Sequence, residues 1–217
     1  MTQKSIATDS AELPDIRRPD AHAVFVSYRY VADAEDGRAL LDDICGQWER
    51  APWPEDFLSF SCYLSSDHDA ILTYTQCAGA DSYRPFVRAR TGAAQAEPVE
   101  YRMRRSVLTD TRGVTGCVVV AMFDVDGPDR QDAVIDALSD MFERTPGGGP
   151  PGMLSAHFHP SIDGTRVCNY AQWISDEAHS AFLDGAGRQA TLRTSNLLPG
   201  VRPIGFRRYG LYRSLSR

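Results

Sequence analysis

The segment Arg166–Trp173 reads RVCNYAQW and carries Asn169 and Trp173 four residues apart. In a strand, alternate residues share a face, so Asn169 and Trp173 point the same way as Val167 and Ala171. An amide on an otherwise apolar face needs a partner or a ligand. Here it can hold a phenol or carbonyl oxygen while the indole packs on an aromatic ring. His179 follows six residues after Trp173 on an expected helix. An imidazole near its reference pKa of about 6.5 can take up a phenolic proton at neutral pH. His157 and His159 share a face of the preceding strand, and with His179 they suggest three metal ligands. No carboxylate or cysteine stands at a recognised metal spacing nearby, and Pro160 ends the strand, so no metal is expected. There is no phosphate loop, dinucleotide fingerprint or nucleophile elbow.

These residues belong to the second of two similar halves. Val24–Val31, VFVSYRYV, matches Val118–Val125, VVVAMFDV, at a shift of 94 residues. The same shift carries Glu49-Arg50-Ala51-Pro52 onto Glu143-Arg144-Thr145-Pro146, and Leu40, Leu41, Ile44 and Trp48 onto Val134, Ile135, Leu138 and Phe142. Those four positions make one face of a helix, with Trp48 and Phe142 as core residues. Beyond the next loop the shift becomes 96, carrying Ser65, Asp67, Tyr74, Gln76 and Phe86 onto Ser161, Asp163, Tyr170, Gln172 and Phe182. The shift changes only in loops, where insertion costs little.

Each half reads strand, helix, strand, strand, helix, strand. The first half gives 23–31, 36–50, 57–64, 70–77, 80–89 and 98–107. The second gives 116–125, 129–144, 153–160, 166–173, 176–186 and 203–213. Asp163-Gly164 signals a hairpin turn. The Gly147–Pro151 run reads as a flexible loop and the region around Arg193 as loop-like. The order βαββαβ is the ferredoxin-like split motif, so the fold class is α+β. A sheet with helices on one face needs a cover on the other. Two tandem copies can supply it by packing sheet to sheet as a pseudo-dimeric α/β barrel. The expected organisation is a disordered or loosely attached arm over 1–21, an N-terminal domain over 22–110 and a C-terminal domain over 111–217.

Composition is that of a globular protein, with 42% hydrophobic and 24% charged residues. A formal net charge of -6 argues against a phosphate-backbone binder, so no nucleic-acid partner is expected. No apolar run reaches the length that crosses a bilayer, and the N-terminus lacks secretory-signal features, so a cytoplasmic protein without a membrane partner is expected. The five cysteines, Cys45, Cys62, Cys77, Cys117 and Cys168, are widely spaced with no CxxC, and read as reduced core thiols. Trp53 lies in a Pro-flanked loop and reads as packing. Arg102, Arg104 and Arg105 read as a solvated strand face.

The stretch FHPSIDGTRVCNYAQW, Phe158–Trp173, resembles the antibiotic biosynthesis monooxygenase family, most strongly over 153–183. The resemblance implies a dimeric α/β barrel and, by analogy with the cofactor-free anthrone oxygenases of that family, oxidation of an aromatic polyketide by O2 to a quinone. No cofactor is implied. It also implies that Asn169 and Trp173 line the pocket and that a residue on the next helix assists. His179 stands where the family carries Tyr. A later arginine of the family falls at about Arg193. The implied catalytic set is Asn169, Trp173 and His179, with Arg193, His159 and Tyr83 as substrate-binding candidates. In the first half Thr73 and Cys77 replace Asn169 and Trp173, and Tyr83 corresponds to His179, so the C-terminal half is the favoured site. The alternatives are a polyketide cyclase and a non-catalytic ligand-binding protein. The reading also allows a homodimer of the fused chain.

Overall fold

The second half opens on Cys117–Val125 (β7), whose run of valines suits a strand buried on both faces. The computed structural model describes residues 8–10, 12–91, 97–110 and 112–217. These divide into two compact units: residues up to Glu100 together with Gly210–Arg217, and Tyr101–Tyr209. Both have an α+β, ferredoxin-like order of elements.

The first unit contains β2 (Ala23–Tyr30), α1 (Ala34–Arg50), β3 (Phe57–Ser65), β4 (Ala70–Cys77), α2 (Tyr83–Thr91) and β5 (Val99–Tyr101). The strand order is β5-β2-β4-β3, with the last part of β10 (Val201–Ser216) beside β3. The second unit contains β6 (Arg105–Leu108), β7, α3 (Pro128–Arg144), β8 (Met153–Pro160), β9 (Arg166–Trp173), α4 (Asp176–Asp184), α5 (Ala186–Asn196) and the first part of β10. Its order is β10-β7-β9-β8-β6. In each unit the fourth strand of the repeat lies beside the first, and the second strand takes a neighbour from the other repeat. The repeat junction in the sequence, at 110/111, therefore differs from the boundary between compact units. The end of β10, from the second repeat, belongs to the first unit, and β6, from the first repeat, belongs to the second.

Of the arm expected over 1–21, residues 1–7 and 11 lie outside the described residues. Thr8–Ser10 forms a short strand, β1, antiparallel to Ser214–Ser216. Ile16 is buried, and the Gln76 side chain donates to the Asp15 carbonyl at 2.8 Å. The described part is thus anchored by backbone pairing and a buried side chain.

The helices start where their caps put them. Asp33 accepts from the backbone N–H groups of Glu35 and Asp36 at α1, and Ser175 accepts from Ala178 at α4. Pro128 opens α3, where no N–H is needed. Gly164, at φ +76°, makes the expected β8–β9 turn. The Gln131 side chain bridges that turn to α3 by donating to the carbonyls of Ser161 and Arg166, each at 2.8 Å.

Two expectations change. The loop-like region around Arg193 is helix α5, which packs against α3 and α4. The arginines on β6 are more than a solvated face. Arg105 reaches Asp136, Asp140 and Glu143 at 2.8–3.2 Å, and Arg104 reaches Asp132 and Asp136, fastening β6 to α3.

Each unit has its own core between sheet and helices. In the first it is dominated by rings: Trp48 stacks on Phe60 at 4.0 Å between centroids, and Tyr83 stacks on Phe25 at 3.8 Å. Trp53 is buried there and donates its indole N–H to the Trp48 carbonyl at 3.0 Å. All five cysteines are buried and free.

Candidate active site

Cross-strand register shows which residues of the second unit share the face beneath α4. Asn169 lies between Phe158 of β8 and Ala121 of β7, and Ala121 lies beside Phe206 of β10. The next row on that face is Ala156, Ala171, Val119 and Arg208. Trp173 follows at the end of β9, about 13 Å along the strand from Asn169. The floor is therefore built mainly of Ala121, Ala156, Ala171 and Val119, with Phe158 beside Asn169, and is bounded by Asn169, Trp173, Phe206 and Arg208.

His179 is carried over this floor by α4. Ser175, two residues beyond Trp173, fixes the helix start, so His179 falls one turn in. Its imidazole meets the Trp173 indole edge to face, 4.9 Å between centroids at 70°. Phe206 meets the same imidazole at 5.0 Å and 80°, and the Phe182 ring lies 6.0 Å away. Burial, and after it the nearby Arg208 charge, push the His179 pKa down to about 4, with Asp176 opposing them. The imidazole is therefore neutral at pH 7. This changes its expected role: it accepts a hydrogen bond readily but is a much weaker base than a histidine near pKa 6.5.

Three polar atoms here are buried without a hydrogen-bond partner among the described residues: Asn169 Oδ1, Trp173 Nε1 and His179 Nδ1. Leaving such groups unpaired costs about 1–3 kcal/mol each. All three are residues singled out in the sequence. A planar molecule with a hydroxyl to donate and a carbonyl to accept would satisfy the amide oxygen and the indole N–H.

The other candidates lie elsewhere. His159 is fully buried on the opposite face of the same sheet, paired across strands with Cys168, and its Nδ1 donates to the His157 carbonyl at 3.0 Å. Strand alternation separates it from Asn169, so it cannot line this floor. Burial also lowers its pKa to about 4. His157, on that same opposite face, lies within 2.8 Å of Ser106 Oγ through Nδ1 and within 3.0 Å of Ser155 Oγ through Nε2. The three histidines therefore do not converge. Among the described residues no group of three His, Cys, Asp or Glu side chains is placed to hold a metal. Arg193 is exposed on α5. Tyr83 is buried in the first unit's aromatic core, where burial raises its hydroxyl pKa well above the usual range.

Arg208 is the residue the sequence reading missed. It shares the face of Phe206, donates to Ser180 Oγ at 2.6 Å, and brings a positive charge to His179. The signal was the period of two along the last strand.

The first unit has no equivalent floor. Phe25 and Phe60 occupy the positions of Val119 and Ala156, and their rings fill the space. Thr73 replaces Asn169 and is satisfied by Ser27 at 2.8 Å.

No protein-family model and no curated protein sequence matches the chain. Solved structures do. An anthrone oxidase-like protein superposes with a TM-score of 0.72 at 17% identity, covering 91% of this chain and 94% of that one. A ferredoxin-fold protein from Listeria monocytogenes, related to antibiotic biosynthesis monooxygenases, gives 0.51 at 12% identity over 91% and 99%. A staphylococcal protein described as a major regulator of pathogenesis gives 0.52 at 14% over 88% and 97%. At these identities the likeness establishes the ferredoxin-like fold shared with monooxygenase-like proteins.

Proposed function

From a chain with the monooxygenase-like ferredoxin fold and one polar-lined aromatic floor, we infer a cofactor-independent monooxygenase that oxidises an aromatic polyketide, anthrone or phenol to quinone. The observation that carries this reading is the trio of buried, unpartnered polar atoms on Asn169, Trp173 and His179.

The substrate lies flat over Ala121, Ala171 and Val119. Its hydroxyl donates to Asn169 Oδ1 and its carbonyl accepts from Trp173 Nε1–H. The Arg208 charge, in a site with little water, favours the substrate's anion. Neutral His179 accepts a hydrogen bond from the substrate and relays the proton, which its low pKa keeps it from retaining, so the proton is returned to the peroxide that forms next. The electron-rich carbanion gives one electron to O2, and recombination forms a carbon–oxygen bond. Loss of water from the peroxide leaves the quinone. Overall, CH2 and O2 become C=O and H2O, with the four electrons supplied by the substrate carbon.

A second reading has one specific support: the low pKa of His179 makes it a poor base. On that reading the floor binds an aromatic ligand without turnover. The fold likeness to a regulator fits it too, since a fold hosts many functions. Aerobic and anaerobic incubation with an anthrone decides between them. The monooxygenase consumes one O2 per quinone, makes none anaerobically, and loses activity in Asn169→Ala. Binding without O2 uptake selects the second reading. Full activity in Asn169→Ala removes the site assignment.

A further inference from the structure

A hollow lies in the same unit, lined in part by Phe182, whose ring also packs near Trp173 and His179. It has a volume of 570 Å³, within the range of small-molecule sites, and its lining is almost wholly apolar. α3 contributes Met141 and Phe142, the 145–152 loop contributes Pro150 and Pro151, and the α4–α5 corner contributes Ala178 and Phe182. The glycine-rich loop expected to be flexible is thus one of its walls, with Pro150 buried and Pro151 exposed at its edge.

Phe182 belongs to both places. Its ring lies 5.4 Å from that of Trp173 and 6.0 Å from that of His179, and it lines the hollow. Gly187 of α5 sits so close that a Cβ there would come within 2.7 Å of the Phe182 ring. The first unit shows what closes this space. Phe86, the counterpart of Phe182, is covered by the Arg90 guanidinium, 3.6 Å above its ring, and Arg90 also donates to the Phe86 carbonyl. At the position matching Arg90 the second unit has Ala186, which lines the hollow. An arginine-sized lid is absent there, and the ring of Phe182 is left facing the hollow.

We propose that this hollow holds an alkyl arm of the substrate whose aromatic head lies on the Asn169–Trp173 floor, with Phe182 as the partition the arm passes. The assignment rests on the reading of that floor given above. It names the substrate class more closely: a phenolic or anthrone ring bearing an alkyl substituent of several carbons.

The test is calorimetric binding of 2-naphthol and its 6-n-alkyl derivatives from methyl to hexyl. In wild type, affinity rises with chain length by up to about fourfold per methylene. Ala186→Arg, which copies the first unit's lid, flattens that rise and leaves 2-naphthol itself unchanged. Ala190→Leu, on another exposed lining position, shortens the chain length at which the rise stops. Circular dichroism checks that both variants fold. Wild-type affinity independent of chain length, or an undiminished rise in both variants, overturns the proposal. Asn169→Ala separates the two readings, because it weakens every probe by the same factor and keeps the rise. If it has no effect on any probe while the rise persists, the floor assignment fails and the hollow stands.

Discussion

The Trp173 indole stands edge-on to the His179 imidazole at 4.9 Å, and neither Trp173 Nε1 nor His179 Nδ1 has a partner among the described residues. Two polar rings packed together with unspent hydrogen-bonding capacity are expensive in a core. Removing the polar atom while keeping the ring should therefore stabilise the fold and destroy the function. His179→Phe, which keeps a ring of similar size, is expected to raise unfolding free energy by about 1 kcal/mol in urea melts, whereas Trp173→Phe also gives up indole volume and brings no net gain. Both should lower kcat/KM at least tenfold. A loss of stability in His179→Phe would mean that its Nδ1 is satisfied in the native protein.

Acid should unfold the protein through its histidines. His159 and His179 have native pKa values pushed down to about 4, chiefly by burial, whereas an unfolded histidine titrates near 6.5. Between these values the unfolded chain holds more protons. The stabilisation is full above about pH 6.5, declines as pH falls, and is gone below about pH 4. Each histidine contributes on the order of 2 kcal/mol of that loss between pH 6.5 and 5. Urea midpoints measured at pH 7.5, 6 and 5 check this, and His179→Phe should remove about half of the fall.

Arg208 should act on His179 through charge. Arg208→Met is expected to raise the His179 pKa from about 4 toward the ordinary histidine value, read by NMR titration of the imidazole. The same change should weaken binding of a phenolate about tenfold, and more weakly that of the neutral phenol. Arg208→Lys should restore much of the pKa depression. An unmoved imidazole titration would remove Arg208 from the electrostatics of the site.

The first unit should tolerate chemical change only as a scaffold. Phe60→Ala installs the residue found at the matching position 156, but removes a ring stacked on Trp48. A loss of about 3–5 kcal/mol is expected from the cavity, measured by denaturant unfolding. Catalytic constants of the folded fraction should be unchanged.

Gly116 holds the approach of Trp173. A Cβ there would come within 2.3 Å of the Ile174 carbonyl oxygen, and the Gly116 N–H donates to the Trp173 carbonyl at 2.9 Å. Backbone cannot step aside as a flexible side chain does. Gly116→Ala should lower stability by a few kcal/mol and, in whatever folds, raise KM. Thermal melts paired with kinetics read both effects.

The strands and long helices were legible because their apolar periods are strong and written twice. Met153–Pro160 and Arg166–Trp173 fall where alternation puts them. Asn169 and Trp173 were legible for the same reason, since two residues of one strand share a face whatever the tertiary fold does. His159 was misplaced because its face depends on pairing with β9, which no local pattern reveals. Helix α5 was missed because its exposed residues, Arg188, Gln189 and Arg193 among them, give only a weak apolar stripe. Arg208 was hidden by the rule that an arginine in a strand faces water. It lies instead against α4, paired with Ser180.

The sixteen-residue strand β10 gives its first nine residues to one unit and the rest to the other. During synthesis on a ribosome, the N-terminal unit must therefore wait for residues 210–216 before its sheet is complete. It emerges with the edge of β3 bare, a template for another chain to zip onto. A nascent polypeptide halted before residue 210 would be a client for chaperones rather than a half-finished but safe domain.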